Sequence, residues 1–219
     1  MPDAVLFDLD GTFADTALDL GEALNRLRRE DDLDDLPISF LRPHASHGVR
    51  GLLRAGFGIS QEDTRYTQLA TRFLEYYANA LCARTVLFDG IEALVDALEV
   101  EGIRWGIVTN KLQRYTLPLM AALGLSRRPG CIVSGDSSPR SKPYPEPLFL
   151  AARLLDAVPE RCVYVGDDLR DVQAARAARM TAVAAAYGYL GSAEPIECWG
   201  ADRIIDTPGQ ILEVVRRGR

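Results

Sequence analysis

Ala4-Val5-Leu6-Phe7-Asp8-Leu9-Asp10-Gly11-Thr12 is the stretch that decides how this chain reads. Ala4 to Leu9 is a short apolar run rich in β-formers, and acids and a glycine end it. That pattern predicts a buried strand. Residues two apart on a strand face the same way, so Asp8 and Asp10 are expected side by side at its carboxyl end. Ligands of open α/β sheets bind at that end. Two like charges there are costly unless a positive group lies beside them. A divalent metal would supply it, and carboxylates with a backbone carbonyl are the hard oxygen ligands Mg²⁺ prefers. Gly11 permits a tight turn whose N–H groups can point at a phosphate oxygen.

Outward from this stretch, strands and helices alternate. Strands are predicted at 104–109, 131–133, 162–165, 181–187 and 203–205. Helices are predicted at 113–123, after the prolines at 143, 145 and 147, at 169–178 and at 208–217. Gly124 reads as a left-handed stop after the first of these helices. The alternation predicts a Rossmann-like α/β core, a parallel sheet with helices on both faces. One connection is too long. A crossover from the first strand to the strand at 104 needs one helix, yet some ninety residues intervene with no convincing strand. A helical cap inserted after the first strand is therefore expected at 15–84, on a core of 1–14 and 85–219. Within it, residues 15–30 read as a helix. Asp31-Asp32-Leu33-Asp34-Asp35 reads as a solvated loop, and Ser60 reads as the N-cap of a long helix marked by Leu69, Phe73 and Tyr77.

Composition narrows the function. The chain has 219 residues, 47% hydrophobic and 26% charged, with a net charge of −6. An acidic chain without a basic block is not expected to bind nucleic acid. It has no apolar run of membrane-spanning length, and acids interrupt its N-terminus, so neither a membrane span nor a secretory leader is expected. The default compartment is the cytoplasm. Cys82, Cys131, Cys162 and Cys198 are scattered, which argues against a disulfide framework or a zinc site. Only two of the 25 basic residues are lysines, Lys111 and Lys142.

Asp8-Leu9-Asp10-Gly11-Thr12 resembles the nucleophile motif of the haloacid dehalogenase-like superfamily, whose members are mostly phosphatases. The superfamily's other motifs have counterparts in order. Thr109-Asn110 closes the strand RWGIVT, Ser141-Lys142-Pro143 precedes a helix, and Gly166-Asp167-Asp168-Leu169-Arg170-Asp171 follows another strand. The resemblance implies a Mg²⁺-dependent phosphatase with an inserted cap. It implies Asp8 as nucleophile, Asp10 as acid and base, Thr109 as a hydrogen-bond donor to a phosphate oxygen and Lys142 as charge neutraliser. Gly11, Thr12 and Asn110 would contact substrate. Asp8, Asp167 and Asp171 would hold Mg²⁺, with Asp10 adding its backbone carbonyl. Asp168 is ambiguous: it is expected either to reach the surroundings of the metal or to cap the following helix. Lys111 could meet a substrate anion or be solvated.

In the cap, the polar segment 42–51 is expected to be a loop that reads the leaving group, with His47, Gly48 and Arg50 as candidates. WGIVTNK (105–111), SKPYPEPLFLA (141–151), GDDLRD (166–171) and YGY (187–189) resemble the phosphoglycolate phosphatase-like enzymes. Among these they are similar to the subgroup acting on N-acetylmuramic acid 6-phosphate. The expected partner is a small phosphomonoester, and the protein a monomer or homodimer. A hexose phosphomutase or a non-catalytic binding module on the same scaffold are the alternatives.

Overall fold

The structure is a computed structural model and describes residues 1–217; the last two residues of the expected core segment, 218 and 219, lie outside the described ones. The first strand, β1 (Ala4–Phe7), is fully buried. Its side chains divide between two apolar layers, as the period of two requires. Val5 and Phe7 face a layer with Leu94, Leu98, Met120 and Val215, and Ala4 and Leu6 face one with Leu148, Ala151, Val172 and Ala175. A strand buried on both faces is central, and β1 lies mid-sheet.

The other strands of this parallel sheet are β4 (Arg104–Val108), β5 (Cys131–Val133), β6 (Cys162–Gly166), β7 (Thr181–Ala185) and β8 (Arg203–Ile205). Their spatial order is β5-β4-β1-β6-β7-β8. The layer on one face comes from α5 (Ile91–Val100), α6 (Gln113–Ala122) and α9 (Ile211–Arg217). The other comes from α7 (Glu146–Leu154) and α8 (Leu169–Ala177). Register sets the geometry of the site. Phe7 lies level with Ile107 on one neighbour and Val165 on the other, so the residues after β1, β4 and β6 emerge at one edge.

The expectation of an α/β core with a helical insertion after the first strand is met. Between β1 and α5 lie α1 (Ala17–Glu30), α2 (Ile38–Ala45), α3 (Gly48–Phe57) and α4 (Tyr66–Asn79). They share a core of Leu20, Leu24, Leu27, Leu41, Leu52, Leu53, Leu69 and Phe73. The segment does contain strand, contrary to expectation. Two-residue strands β2 (Ala14–Asp15) and β3 (Val86–Leu87) pair antiparallel where the chain leaves and re-enters the α/β unit. Two residues carry no readable period, which is why the sequence hid them.

Two further expectations are corrected. Ser60 does not cap a helix: residues 60–65 form turns, the Asp63 carboxylate accepts the Arg65 N–H at 2.8 Å, and α4 begins only at Tyr66. The acids expected in a first helical turn serve that turn instead. Segment 42–51 is not a loop either. It is the end of α2, a two-residue joint at Ser46-His47, and the start of α3. Its glycines serve the tight corner. Gly48 has φ +58°, and a Cβ on Gly51 would stand 2.4 Å from the His44 carbonyl oxygen.

Arg179 follows α8 with φ +59°. A β-carbon in the left-handed region costs about 1 kcal/mol, and its 3.8 Å ion pair with Glu160 is exposed and contributes little. Arg179→Gly should therefore stabilise the fold by about 0.5–1 kcal/mol. Thermal unfolding should show a rise in Tm of roughly 2–3 °C.

Candidate active site

The edge where β1, β4 and β6 end carries an unusual charge arrangement. The Lys142 ammonium, buried, lies 2.9 Å from Asp8 Oδ1 and 2.6 Å from Asp171 Oδ1. It also donates to Tyr164 Oη at 2.7 Å and to the Val108 carbonyl at 3.2 Å. Burial alone would strip the proton from this lysine, but Asp171 and Asp8 more than offset it and hold the ammonium charged. Asn110 fixes the backbone of Lys142. Its Nδ2 donates to the Lys142 carbonyl and its Oδ1 accepts the Lys142 N–H, both at 3.0 Å.

The carboxylates surround this cation. Single oxygens of Asp8, Asp167 and Asp171 lie within 4.8 Å of one another. Burial pushes the Asp8 carboxyl up to about 6, against the pull of Lys142 and with Asp171 adding to the rise. Burial and the charges of Asp8 and Asp171 push Asp167 well above the usual carboxylate range. Three clustered carboxylate oxygens are a donor set suited to a hard divalent cation, whose charge would offset the penalty on ionising Asp8 and Asp167. Asp167 is steered by Thr12 Oγ1, which donates to its Oδ1 at 2.8 Å, and by the Tyr189 N–H, which donates to its Oδ2 at 2.8 Å. Gly11 is required here: φ is +86°, and a Cβ would lie 2.2 Å from an Asp167 oxygen. Asp171 accepts Lys142 and Tyr164 on Oδ1 and the Asp168 N–H on Oδ2. It therefore anchors the lysine as well as facing the acid cluster.

Asp8 and Asp10 part company. β1 ends at Phe7, and where Asp8 takes Lys142, Asp10 takes Lys111, at 2.7 and 3.0 Å to its two oxygens. Lys111 is thus not solvated. It is buried in the site, 4.8 Å from the centroid of the Tyr77 ring on α4. Asp10 also accepts a hydrogen bond from Thr16 Oγ1. Thr109, buried at the end of β4, continues the ladder to Val133, and its hydroxyl accepts the Lys111 N–H at 3.2 Å. Asp168 caps α8, one of its two expected roles, within a capping box closed by Asp171.

The helical unit completes a cavity of about 370 Å³. Its floor is Asp8, Asp10, Thr109 and Lys142, and His47, Gly48 and Arg50 reach it from the α2–α3 corner. The Asn110 side chain, expected to meet substrate, is committed to Lys142. Sequence reasoning missed Arg170 and Ser46. Arg170 pairs with Asp168 at 2.9 Å and donates to the Ser46 carbonyl at 2.7 Å, while Ser46 Oγ donates to Asp168 at 2.6 Å. Arg170 stood inside the recognised GDDLRD, but nothing in the sequence linked it to Ser46. Tyr77 had registered only as an apolar helix position. Its buried hydroxyl has no hydrogen-bond partner among the described residues, and its ring lines the cavity.

The site thus joins a carboxylate cluster and a buried lysine at the strand ends of a parallel α/β core to a helical unit that closes over them. The chain belongs to the haloacid dehalogenase-like hydrolase family, whose sequence model matches residues 5–185. It is 38% identical over 214 residues to the N-acetylmuramic acid 6-phosphate phosphatase of Pseudomonas aeruginosa, spanning 98% of this chain and 95% of the relative. It is 40% identical over 213 residues to a phosphoglycolate phosphatase of Xanthomonas campestris, spanning 97% and 96%. Among solved structures, a predicted phosphoglycolate phosphatase from Haemophilus somnus shares the fold with a TM-score of 0.82 at 24% identity, over 97% of each chain. CbbY from Rhodobacter sphaeroides, solved with phosphate, gives 0.74 at 25% identity, over 96% of each.

The raised acids make a pH prediction. Asp8 titrates at about 6 in the folded chain against an ordinary 3.8. The folded state thus holds that proton more tightly, and metal-free stability should fall as pH rises between these values. A cation bound to the ionised cluster reverses the penalty. Mg²⁺ should raise Tm clearly at pH 7, with the gain fading toward pH 5, as scanning calorimetry at both pH values would show.

Proposed function

We propose that the protein hydrolyses a small phosphomonoester through an aspartyl-phosphate on Asp8, with Mg²⁺ as cofactor. The buried Lys142 ammonium, shared by Asp8 and Asp171 beside Asp167, is the observation that carries this reading. It keeps a nucleophilic carboxylate charged in a site that otherwise favours the acid, next to a donor set that fits a divalent cation. Asp8, Asp167 and Asp171 would hold Mg²⁺ with the Asp10 carbonyl, and the ion would neutralise charge on the transferring group.

The residues divide the work. An Asp8 oxygen attacks phosphorus as the bond to the leaving oxygen breaks, and Asp10, entering this step as the neutral acid, passes its proton to that oxygen and becomes the carboxylate. Asp10 then takes a proton from the attacking water as the Asp8–phosphorus bond breaks and phosphate leaves. Lys111 orients the Asp10 side chain and pairs with the carboxylate that the first transfer leaves, which is the base for the second. The Thr109 hydroxyl receives a phosphate oxygen, whereas the Gly11 N–H, expected to do the same, is held by the Ala14 carbonyl at 3.0 Å and the Thr12 hydroxyl by Asp167. Residues 15–84 act as a cap on a core of 1–14 and 85–219, excluding water during transfer.

The cavity favours a sugar phosphate such as N-acetylmuramic acid 6-phosphate over phosphoglycolate. Its walls include Leu20, Phe73, Tyr77, Leu112 and Tyr115, with Arg50 and His47 at the cap side. A two-carbon acid would leave most of that volume to water, whereas a sugar acid offers both apolar faces and acceptors for Arg50 and the unpartnered Tyr77 hydroxyl. The mutase alternative is less supported, because near-full-length curated relatives at 35–40% identity are phosphatases. The same reading carries a cytoplasmic enzyme with a small-molecule partner, as monomer or homodimer. No helix among the described residues is long and apolar enough to cross a membrane.

A phosphate-release screen over both compounds and hexose phosphates, with and without Mg²⁺, tests this. Release should require Mg²⁺ and no bisphosphate activator, and Asp8→Asn should reduce it by on the order of 10³-fold or more. Equal, slow turnover of every ester would contradict a cap that selects. Tyr77→Phe should lower kcat/KM for the sugar phosphate by about 3- to 10-fold, and for a small aryl phosphate by less.

A further inference from the structure

Tyr187-Gly188-Tyr189 enters the site above only through the Tyr189 N–H on Asp167, yet it touches both the acid cluster and the exit of the chain toward α1. Tyr187 Oη donates to the Thr12 carbonyl at 3.1 Å, and Thr12 in turn steers Asp167. Gly188 has no room for a side chain: a Cβ would lie 2.2 Å from the Asp167 Cβ and 2.5 Å from the Gly11 carbonyl oxygen. The segment is thus pressed against the nucleophile turn.

Tyr189 is buried, and its two ends do different things. Its backbone N–H donates to Asp167 Oδ2 at 2.8 Å. Its phenol oxygen accepts the N–H groups of Thr16 and Ala17 at 2.7 and 2.9 Å. The opening turn of a helix leaves N–H groups without partners, and Thr16 supplies no side-chain cap to α1. A tyrosine from the α/β core caps it instead, at the point where the chain enters the helical unit. The phenol also donates to Asp15 Oδ1 at 3.2 Å. From α2, Arg42 pairs with that same oxygen at 2.9 Å, and its guanidinium lies 5.7 Å from the Tyr189 ring centroid. On the return strand side, the Phe88 ring lies 6.4 Å from Tyr189. One residue therefore joins Asp167, both crossings of the hinge and a helix of the cap.

We propose that Tyr189 is a positioning residue that couples the cap hinge to the Asp167 carboxylate, so that metal binding at the acid cluster and placement of the cap favour each other. Such coupling is reciprocal: if a bound cation firms the hinge, a firm hinge tightens the cation by the same factor. The proposal rests on the magnesium reading above.

Hydrogen–deuterium exchange, read at Thr16 and Ala17 with and without Mg²⁺ and with no substrate, tests it. In the native protein Mg²⁺ should slow exchange of these two amides. Tyr189→Phe keeps the ring and removes the acceptor. Its two amides should exchange on the order of tenfold faster, Mg²⁺ should no longer slow them, and calorimetry should show weaker Mg²⁺ binding. Arg42→Gln leaves Tyr189 and the acid cluster intact, and should weaken Mg²⁺ binding in the same direction. Unchanged exchange in Tyr189→Phe, a surviving Mg²⁺ effect on those amides, or unchanged Mg²⁺ affinity in both variants would overturn the coupling. A native protein that binds Mg²⁺ yet hydrolyses no phosphate ester would instead contradict the proposed reaction, with the hinge amides still reporting on the coupling.

Discussion

The rest of the site depends on one buried ammonium. Lys142 must be charged to balance Asp8 and Asp171, and it must be small enough to lie between them, Tyr164 and a strand carbonyl. Removing a charge from water is expensive unless partners replace the lost hydration. Here three donors meet two carboxylates, a phenol and a carbonyl. A planar guanidinium fork fits such a compact set poorly. That is a physical reason for a chain that otherwise relies on arginine to place one of its two lysines here. The constraint reaches outward, since Asn110 must hold the lysine's backbone, and the sheet register must bring β1, β4 and β6 to one edge.

The second lysine separates the work of two neighbouring acids. Asp8 and Asp10 leave one strand, yet each has its own ammonium, Lys142 within the core and Lys111 under the Tyr77 ring of the helical unit. Asp8 thereby faces the acid cluster, while Asp10 faces the cavity where a leaving group would lie. Arg170 adds a third cation, spent on Asp168 and on the Ser46 carbonyl. Three cations thus face the five acids Asp8, Asp10, Asp167, Asp168 and Asp171, and the acid excess falls at the cluster of Asp8, Asp167 and Asp171, where it favours a divalent ion.

Much of this was legible in the sequence. The run Ala4–Leu9 and its acids foretold the central strand, and the ninety-residue gap foretold an insertion. Asp167, Asp171, Thr109 and Lys142 were reached through the family resemblance, whose motifs recur in order at strand ends and helix starts along the chain. What escaped has a common cause. The Ser46–Arg170 contact spans 124 residues and the Thr16–Tyr189 contact 173, and no spacing rule reaches that far. β2 and β3 are too short to show a period. Segment 42–51 misled because Pro and Gly usually mark loops, whereas here they make a tight corner between two helices. Ser60 misled because the acids that suit a helix start also suit a turn.

The central claim is that Asp8, held ionised by Lys142, carries the phosphoryl group. Acid quenching during turnover, borohydride reduction and peptide mass spectrometry test it directly, since reduction converts an aspartyl-phosphate to homoserine. Homoserine at position 8 is the predicted result. Homoserine at another acid, or an unmodified Asp8 in enzyme that is turning over, would contradict the account.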